Sequence, residues 1–279
     1  MSIARLMQQA AAGVPTGGGV VWTDPDLANA SYDSVSFSVL TEDTAPGGLH
    51  FKPDGSKVYV MGGSGDDVNE YNLSSAWDVS TASYVQNFSV ASQESNPSGV
   101  FFKPDGTKMY VTGSSSDAIN EYDLSSAWDV SSASYVQNFS VSSQESTPRD
   151  VFFKPDGTKM YVIGLTGDDV NEYDLSTAWD VSTASYSQNF SVASQETLPT
   201  AVFISPTGLK MYVCGASNDT VFEYDLSVAW DTSTASYNSI SFSVVSQENT
   251  PTGLFFKPDG SKMYVIGLGT DTIYQYSTD

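Results

Sequence analysis

The stretch FFKPDGTKMYVTG, Phe101 to Gly113, returns as FFKPDGTKMYVIG from Phe152 and as FFKPDGSKMYVIG from Phe255. It reads as a strand, a tight reversal and a second strand. Pro104 brings a fixed φ and Gly106 a positive φ to the reversal, so KMYV folds back on the segment before it. Apolar Val100, Phe101 and Phe102 mark that first strand as buried on both faces. The tyrosines of the second strand, Tyr59, Tyr110, Tyr161, Tyr212 and Tyr264, are spaced by 51, 51, 51 and 52 residues, so the unit is written five times.

Each unit holds two further strands. After SSSD comes AINEYDL, and after the longer connection SSAWDVSSAS comes YVQNFSV. Both carry the β-branched and aromatic residues of strands. Four strands per unit of about 51 residues, five times over, predict an all-β, five-bladed β-propeller. The chain ends settle its closure: YDSVSFSVL at 32 to 40 matches the fourth strand of a unit, whereas DTIYQYSTD at the C-terminus matches the third. The first strand of the chain is thus expected to complete the last blade, leaving no open edge as a solenoid would. YDSVSF and YNSISF carry one more residue than YVQNF, which predicts a bulge. The propeller is assigned residues 21 to 279. Residues 1 to 20 are read as an anchor, with Ile3, Leu6 and Met7 at helical spacing ahead of a glycine-rich tether.

Composition narrows the partners. Eleven lysines and arginines face 33 aspartates and glutamates, a net charge of -22, so nucleic acid and anionic membrane surfaces are poor matches. No apolar run is long enough to span a bilayer. Cys214 stands where sister units have Thr112 or Ile163 and reads as a core residue.

Comparing the five units with one another separates two faces. KPDG reversals and AWD connections, on the face called the bottom, barely change, while the loops GGSGDDV, GSSSDAI, GLTGDDV, GASNDTV and GLGTDTI on the top do. All nine lysines belong to the bottom hairpins. The top loops carry Asp66, Asp67, Asp117, Asp168, Asp169, Asp219 and Asp271, with Arg149 the one basic residue there, and these eight are the candidate ligand-binding residues. Calcium is the one ion such oxygen-rich loops would suit, but adjacent aspartates lack the interleaved spacing of a calcium loop, and no metal site or cofactor is assigned.

Catalytic signals are sparse. The single histidine, His50, takes a position filled elsewhere by phenylalanine, and one histidine with one cysteine cannot make a zinc site. Two glutamate series recur, Glu70, Glu121, Glu172 and Glu223 in the third strand and Glu94, Glu145, Glu196 and Glu248 after the fourth. Symmetry gives their members near-identical surroundings, which suits repeated structural hydrogen bonds better than the unequal pair of a glycosidase. Trp77, Trp128, Trp179 and Trp230, one per AWD connection, are expected to seal each blade against its neighbour rather than stack on sugars.

KPDGTKMYV followed by TG, IG or CG resembles the repeat of YVTN-type β-propellers, a family that includes surface-layer proteins and a branch of lactonases. The opening MSIARLMQQAAAG, its tether and the AWDVSTASYVQNFSV repeats resemble virion-associated proteins of tailed bacteriophages of marine cyanobacteria. That second resemblance implies a non-enzymatic virion structural protein, a tail or head fibre or decoration protein on the particle surface. Its N-terminus would dock to other virion proteins, and its propeller would adhere to a host surface glycan or receptor. The alternatives are a YVTN-like lactonase or esterase with top-face carboxylates, or a secreted lectin-like binding module.

Overall fold

The computed structural model describes residues 21–279. The expected anchor residues Ile3, Leu6 and Met7 lie outside the described residues. Twenty strands form five antiparallel four-stranded sheets arranged in a ring. Blade 1 is β2 (Pro46–Phe51), β3 (Lys57–Gly62), β4 (Asp67–Leu73) and β5 (Ala82–Ser89). Blade 2 is β6 (Pro97–Phe102), β7 (Lys108–Gly113), β8 (Ala118–Leu124) and β9 (Ala133–Ser140). Blade 3 is β10 (Pro148–Phe153), β11 (Lys159–Gly164), β12 (Asp169–Leu175) and β13 (Ala184–Ser191). Blade 4 is β14 (Pro199–Ile204), β15 (Lys210–Gly215), β16 (Thr220–Leu226) and β17 (Ala235–Ser243). Blade 5 combines β18 (Pro251–Phe256), β19 (Lys262–Gly267) and β20 (Thr272–Ser277) with β1 (Ser31–Ser38), the first strand of the chain. The five-bladed, four-stranded ring with its interlocked ends is the architecture the repeats predict.

Burial follows the order of strands outward. The second strand of every blade is buried along almost its whole length, whereas the outermost strand alternates between half-buried and exposed residues. The inner strands pack on one another in sequence, and β18 meets β2 to close the ring. Between neighbouring blades lie five apolar clusters, one per interface, each mixing side chains of two sheets.

The tryptophans occupy these interfaces at the bottom. Trp128 of blade 2 packs on Phe102 of its own blade and Tyr59 of blade 1, with ring centroids 5.6 and 6.1 Å apart. Its carbonyl accepts a hydrogen bond from the Tyr59 hydroxyl at 2.7 Å, and the same bond recurs from Tyr110 to Trp179, Tyr161 to Trp230 and Tyr264 to Trp77. Gly106 must be glycine here: its φ is 74°, and a Cβ would run into the Trp128 ring.

Blade 5 finishes differently. Its third strand ends near the C-terminus, so residues 22–30 lie where the other blades have the AWD connection. Trp22 stacks on Phe203 at 6.2 Å, Thr23 donates its amide to the Asp259 carbonyl, and Asp26 donates to that of Thr278. The extra residue of YDSVSF and YNSISF is absorbed in bulges where Ser34 and Ser239 adopt φ of 61° and 69°.

Candidate functional site

The ring leaves an axis, and the inner strands line it in layers. Their second residues, Gly47, Ser98, Arg149, Thr200 and Thr252, surround an open funnel on the top face, a cavity of about 280 Å³. Their fifth residues, His50, Phe101, Phe152, Phe203 and Phe255, contribute to a much smaller axial cavity of about 20 Å³ below it. That is room for about one water molecule.

The funnel layer is built by an inter-blade relay. Ser98 donates its hydroxyl to the Pro148 carbonyl at 3.0 Å, Thr200 to that of Pro251 at 2.8 Å and Thr252 to that of Pro46 at 2.8 Å. Blade 3 breaks the pattern with Arg149, which is the bulged residue of its inner strand. The Arg149 side chain is half-buried against the funnel, and its Nε has no hydrogen-bond partner among the described residues. Burial pulls its guanidinium below the usual arginine range and the nearby Glu145 opposes this; it remains a cation at any physiological pH.

The next layer is made of small residues, Gly48, Gly99, Ala201 and Gly253, except in blade 3, where it is Asp150. The reason for smallness is close packing of inner strands: a Cβ on Gly99 would come within 2.8 Å of the Asp150 Cα. Asp150 turns its carboxyl toward blade 4, where one oxygen accepts the Val202 amide at 3.1 Å and the other accepts its neighbour Val151 at 2.9 Å. It is 8 % exposed and lines the small axial cavity together with His50. Burial, opposed by those two amides, pushes its carboxyl up to about 7. Burial likewise holds the His50 imidazole down to about 3, so that it is neutral at pH 7.

The top-face aspartates of the sequence reading occupy other places. Asp66, Asp117, Asp168, Asp219 and Asp271 sit at φ of 48 to 50° in the turns, a conformation that aspartate tolerates, and their carbonyls accept the amide of the following loop, as from Val90 to Asp66 at 2.8 Å. Asp117, Asp168, Asp219 and Asp271 each keep one buried carboxylate oxygen without a hydrogen-bond partner among the described residues. Asp67 and Asp169 are buried and hydrogen-bonded to Asn69 and Asn87, and to Asn171 and Asn189. Of the eight candidates only Arg149 lines the funnel. Among the described residues no group of three or more histidine, cysteine, aspartate or glutamate side chains is placed to hold a metal ion.

Both glutamate series are structural clamps. Glu94 accepts the amides of Asn96, Ser115 and Ser116 at 2.8 to 2.9 Å, tying two top loops together, and Glu145, Glu196 and Glu248 repeat this. Asp43 does the same for blade 1, a fifth member hidden by its different residue type. Glu70 pairs with Lys57 and accepts the Val130 amide of the next blade at 3.1 Å. Every lysine is ion-paired with an aspartate or glutamate, so the bottom ring is neutralised rather than basic, and among the described residues Arg149 is the cation with no such pair.

Asp150 was missed by sequence reading although it adjoins Arg149. The signal was present in the alignment of the five units: four small residues and one carboxylate at one place of the inner strand.

The sequence model of the family described as "Lactonase, 7-bladed beta-propeller" matches residues 20–178. No curated protein matches the chain in sequence. Solved structures match its fold. One, described as a "putative 6-phosphogluconolactonase" from Bacteroides fragilis, is 16% identical with a TM-score of 0.50 over 75% of this chain and 56% of its own. Another of that description from Bacteroides uniformis is 16% identical with a TM-score of 0.51 over 80% and 64%. The Cps50 (Swd1) β-propeller domain of Myceliophteria thermophila is 10% identical with a TM-score of 0.52 over 90% and 100%. At these identities the likeness is one of fold alone, and the chain spans little more than half to two thirds of the two Bacteroides proteins' lengths.

The expectation of a non-enzymatic virion structural protein adhering to a host glycan is overturned by the family match, which is to lactonases. The physical reason is visible in the loops. Most of the aspartates taken for an adhesive face hold turns, and a repeated scaffold looks alike whether it serves adhesion or chemistry. With more than half of its residues matched, the chain belongs to the "Lactonase, 7-bladed beta-propeller" family, as a member that closes its ring with five blades.

Proposed function

We propose that the protein hydrolyses a lactone in the axial funnel, with Arg149 as the electrophilic group and Asp150 as the general base. One observation carries this reading. Of five equivalent inner strands, only that of blade 3 brings a charged pair to the axis, a cation lining the funnel and a carboxyl lining the cavity below. The family match and the names of the Bacteroides structures support lactone chemistry as the class of reaction.

The chemistry follows from the two environments. The Arg149 guanidinium lines the funnel and donates N–H to the lactone carbonyl oxygen, and its charge stabilises the oxyanion that forms when water adds. A carboxyl pushed up to about 7 is part ionised at neutral pH, and from the water-sized cavity below the funnel it would take the proton of the attacking water through the one water that cavity has room for and return it by the same route to the ring oxygen as the C–O bond breaks. The product is an open hydroxy acid. Its carboxylate faces a molecule of net charge -22, which favours release.

Proton release from simple γ- and δ-lactones, followed with a pH indicator, tests the reading. Asp150→Asn is expected to lose roughly 10² to 10⁴-fold in kcat. Arg149→Ala should lose about 10² to 10³-fold, with Arg149→Lys recovering part of it. Wild-type protein that releases no acid faster than buffer overturns the reading.

A further inference from the structure

Resting on that reading, we infer that the substrate is an uncharged lactone carrying an aliphatic chain, rather than a sugar lactone or its phosphate. Donors in the funnel are few. A polyhydroxylated ring brings several hydroxyls that each need a partner once desolvated, and a phosphate dianion needs more than one cation or a nest of N–H groups.

The funnel offers neither. The hydroxyl protons of Ser98, Thr200 and Thr252 are already spent on carbonyls of the neighbouring blades. Asn96 uses one of its amide protons on Ser114 at 2.5 Å. Arg149 is therefore the one cation of the lining, and beside it stand only the second amide proton of Asn96 and the Thr250 hydroxyl, which already leans on Asn249 at 3.4 Å, too few for a polyol or a phosphate dianion. The carboxylates of Glu145, Glu196 and Glu248 clamp the surrounding loops and add a negative field that opposes a dianion.

Apolar groups fill the rest. Leu165, Leu198, Ala216 and Leu268 line the side formed by blades 3, 4 and 5, and Leu198 and Leu268 remain 44% and 45% exposed at its rim. An alkyl chain running from the ring ester at Arg149 along these side chains would bury their surface and its own. The aliphatic side lies next to the cation, which fixes where the ring must sit relative to the chain.

The test uses the full protein and measures turnover and binding separately. Turnover is compared for a hexyl-substituted γ-lactone, unsubstituted γ-butyrolactone, gluconolactone and its phosphate. Binding of a hexyl-substituted γ-lactam, which resists hydrolysis, is measured by calorimetry. The expected result is a kcat/KM at least about tenfold higher for the hexyl lactone than for each of the others, with micromolar lactam binding that Leu198→Asp with Leu268→Asp weakens by about tenfold. Faster turnover of gluconolactone or its phosphate overturns the aliphatic inference and leaves lactone hydrolysis standing. Lactam binding without turnover of any lactone supports the ligand class and overturns the hydrolytic reading. Neither binding nor turnover overturns both.

Discussion

Two buried titratable side chains at the axis pull the stability of the molecule in opposite directions. Asp150 has its carboxyl raised from 3.8 to about 7, so the folded state binds more protons than the unfolded one between those values. Its contribution is favourable below about 4 and is lost as pH rises toward 7. His50 is lowered from 6.5 to about 3, so the unfolded state binds more protons there; its contribution is present above 6.5 and lost as pH falls toward 3. Each amounts to at most roughly 5 kcal/mol, and over the shared window they largely cancel. Single substitutions expose them. Asp150→Asn should raise the melting temperature relative to wild type at pH 8 and lose that advantage at pH 4. His50→Phe, the residue of the other four blades, should show its advantage at pH 4 and little at pH 8. Thermal melts by circular dichroism across this range check both, and a pH-independent difference for either variant overturns its assigned shift. Neither role was legible in the sequence. His50 read correctly as a substitution in a phenylalanine ring, but the titration of both groups depends on desolvation, which is a property of the closed axis.

At the scale of strands and turns the repeats were far more readable, because each unit carries its own local instructions. KPDG specifies the reversal through Pro104 and Gly106, and the period of strands follows from apolar runs between turns. What the repeats could not reveal is which units pair. The nine lysines all fall on the bottom hairpins, yet each reaches an acid of its own hairpin or a neighbouring strand. Blade 5 shows the pairing most clearly. The third-strand glutamate is replaced by Gln275, and the carboxylate moves across to Asp33 of β1, which takes Lys262 at 2.7 Å. The bottom connection can be tested the same way. In Gly106→Ala the new methyl meets the Trp128 ring at a backbone φ of 74°, and a loss of roughly 2 to 4 kcal/mol is expected. Tyr110→Phe removes only the bond to the Trp179 carbonyl, about 1 kcal/mol. Urea unfolding that ranks the tyrosine change above the glycine change would show that the tryptophan ring is not held as tightly as the packing implies.

For the whole molecule, ring closure decides both stability and the existence of a site. Five inner strands bring their side chains close enough to plug the axis with His50 and four phenylalanines, so the funnel above has a floor. The closure itself rests on the first strand of the chain. Without β1 the edge of β20 would be unpaired over six residues, and Trp22 and Leu27 would leave the cluster between blades 4 and 5. An exposed edge of that length is a template for pairing with another molecule. Deleting residues 21 to 38 is therefore expected to lower the melting temperature by 10 °C or more, on the order of several kcal/mol for a chain of this size. It should also shift the protein to larger species in size-exclusion chromatography. Adding the deleted segment back as a synthetic peptide should restore a monomer, since β1 pairs with β20 along most of its length with no contribution from the covalent link. A truncated protein that stays monomeric and melts as the full chain does would mean that the ring holds without its interlock. The funnel would then have to be explained by the packing of inner strands alone.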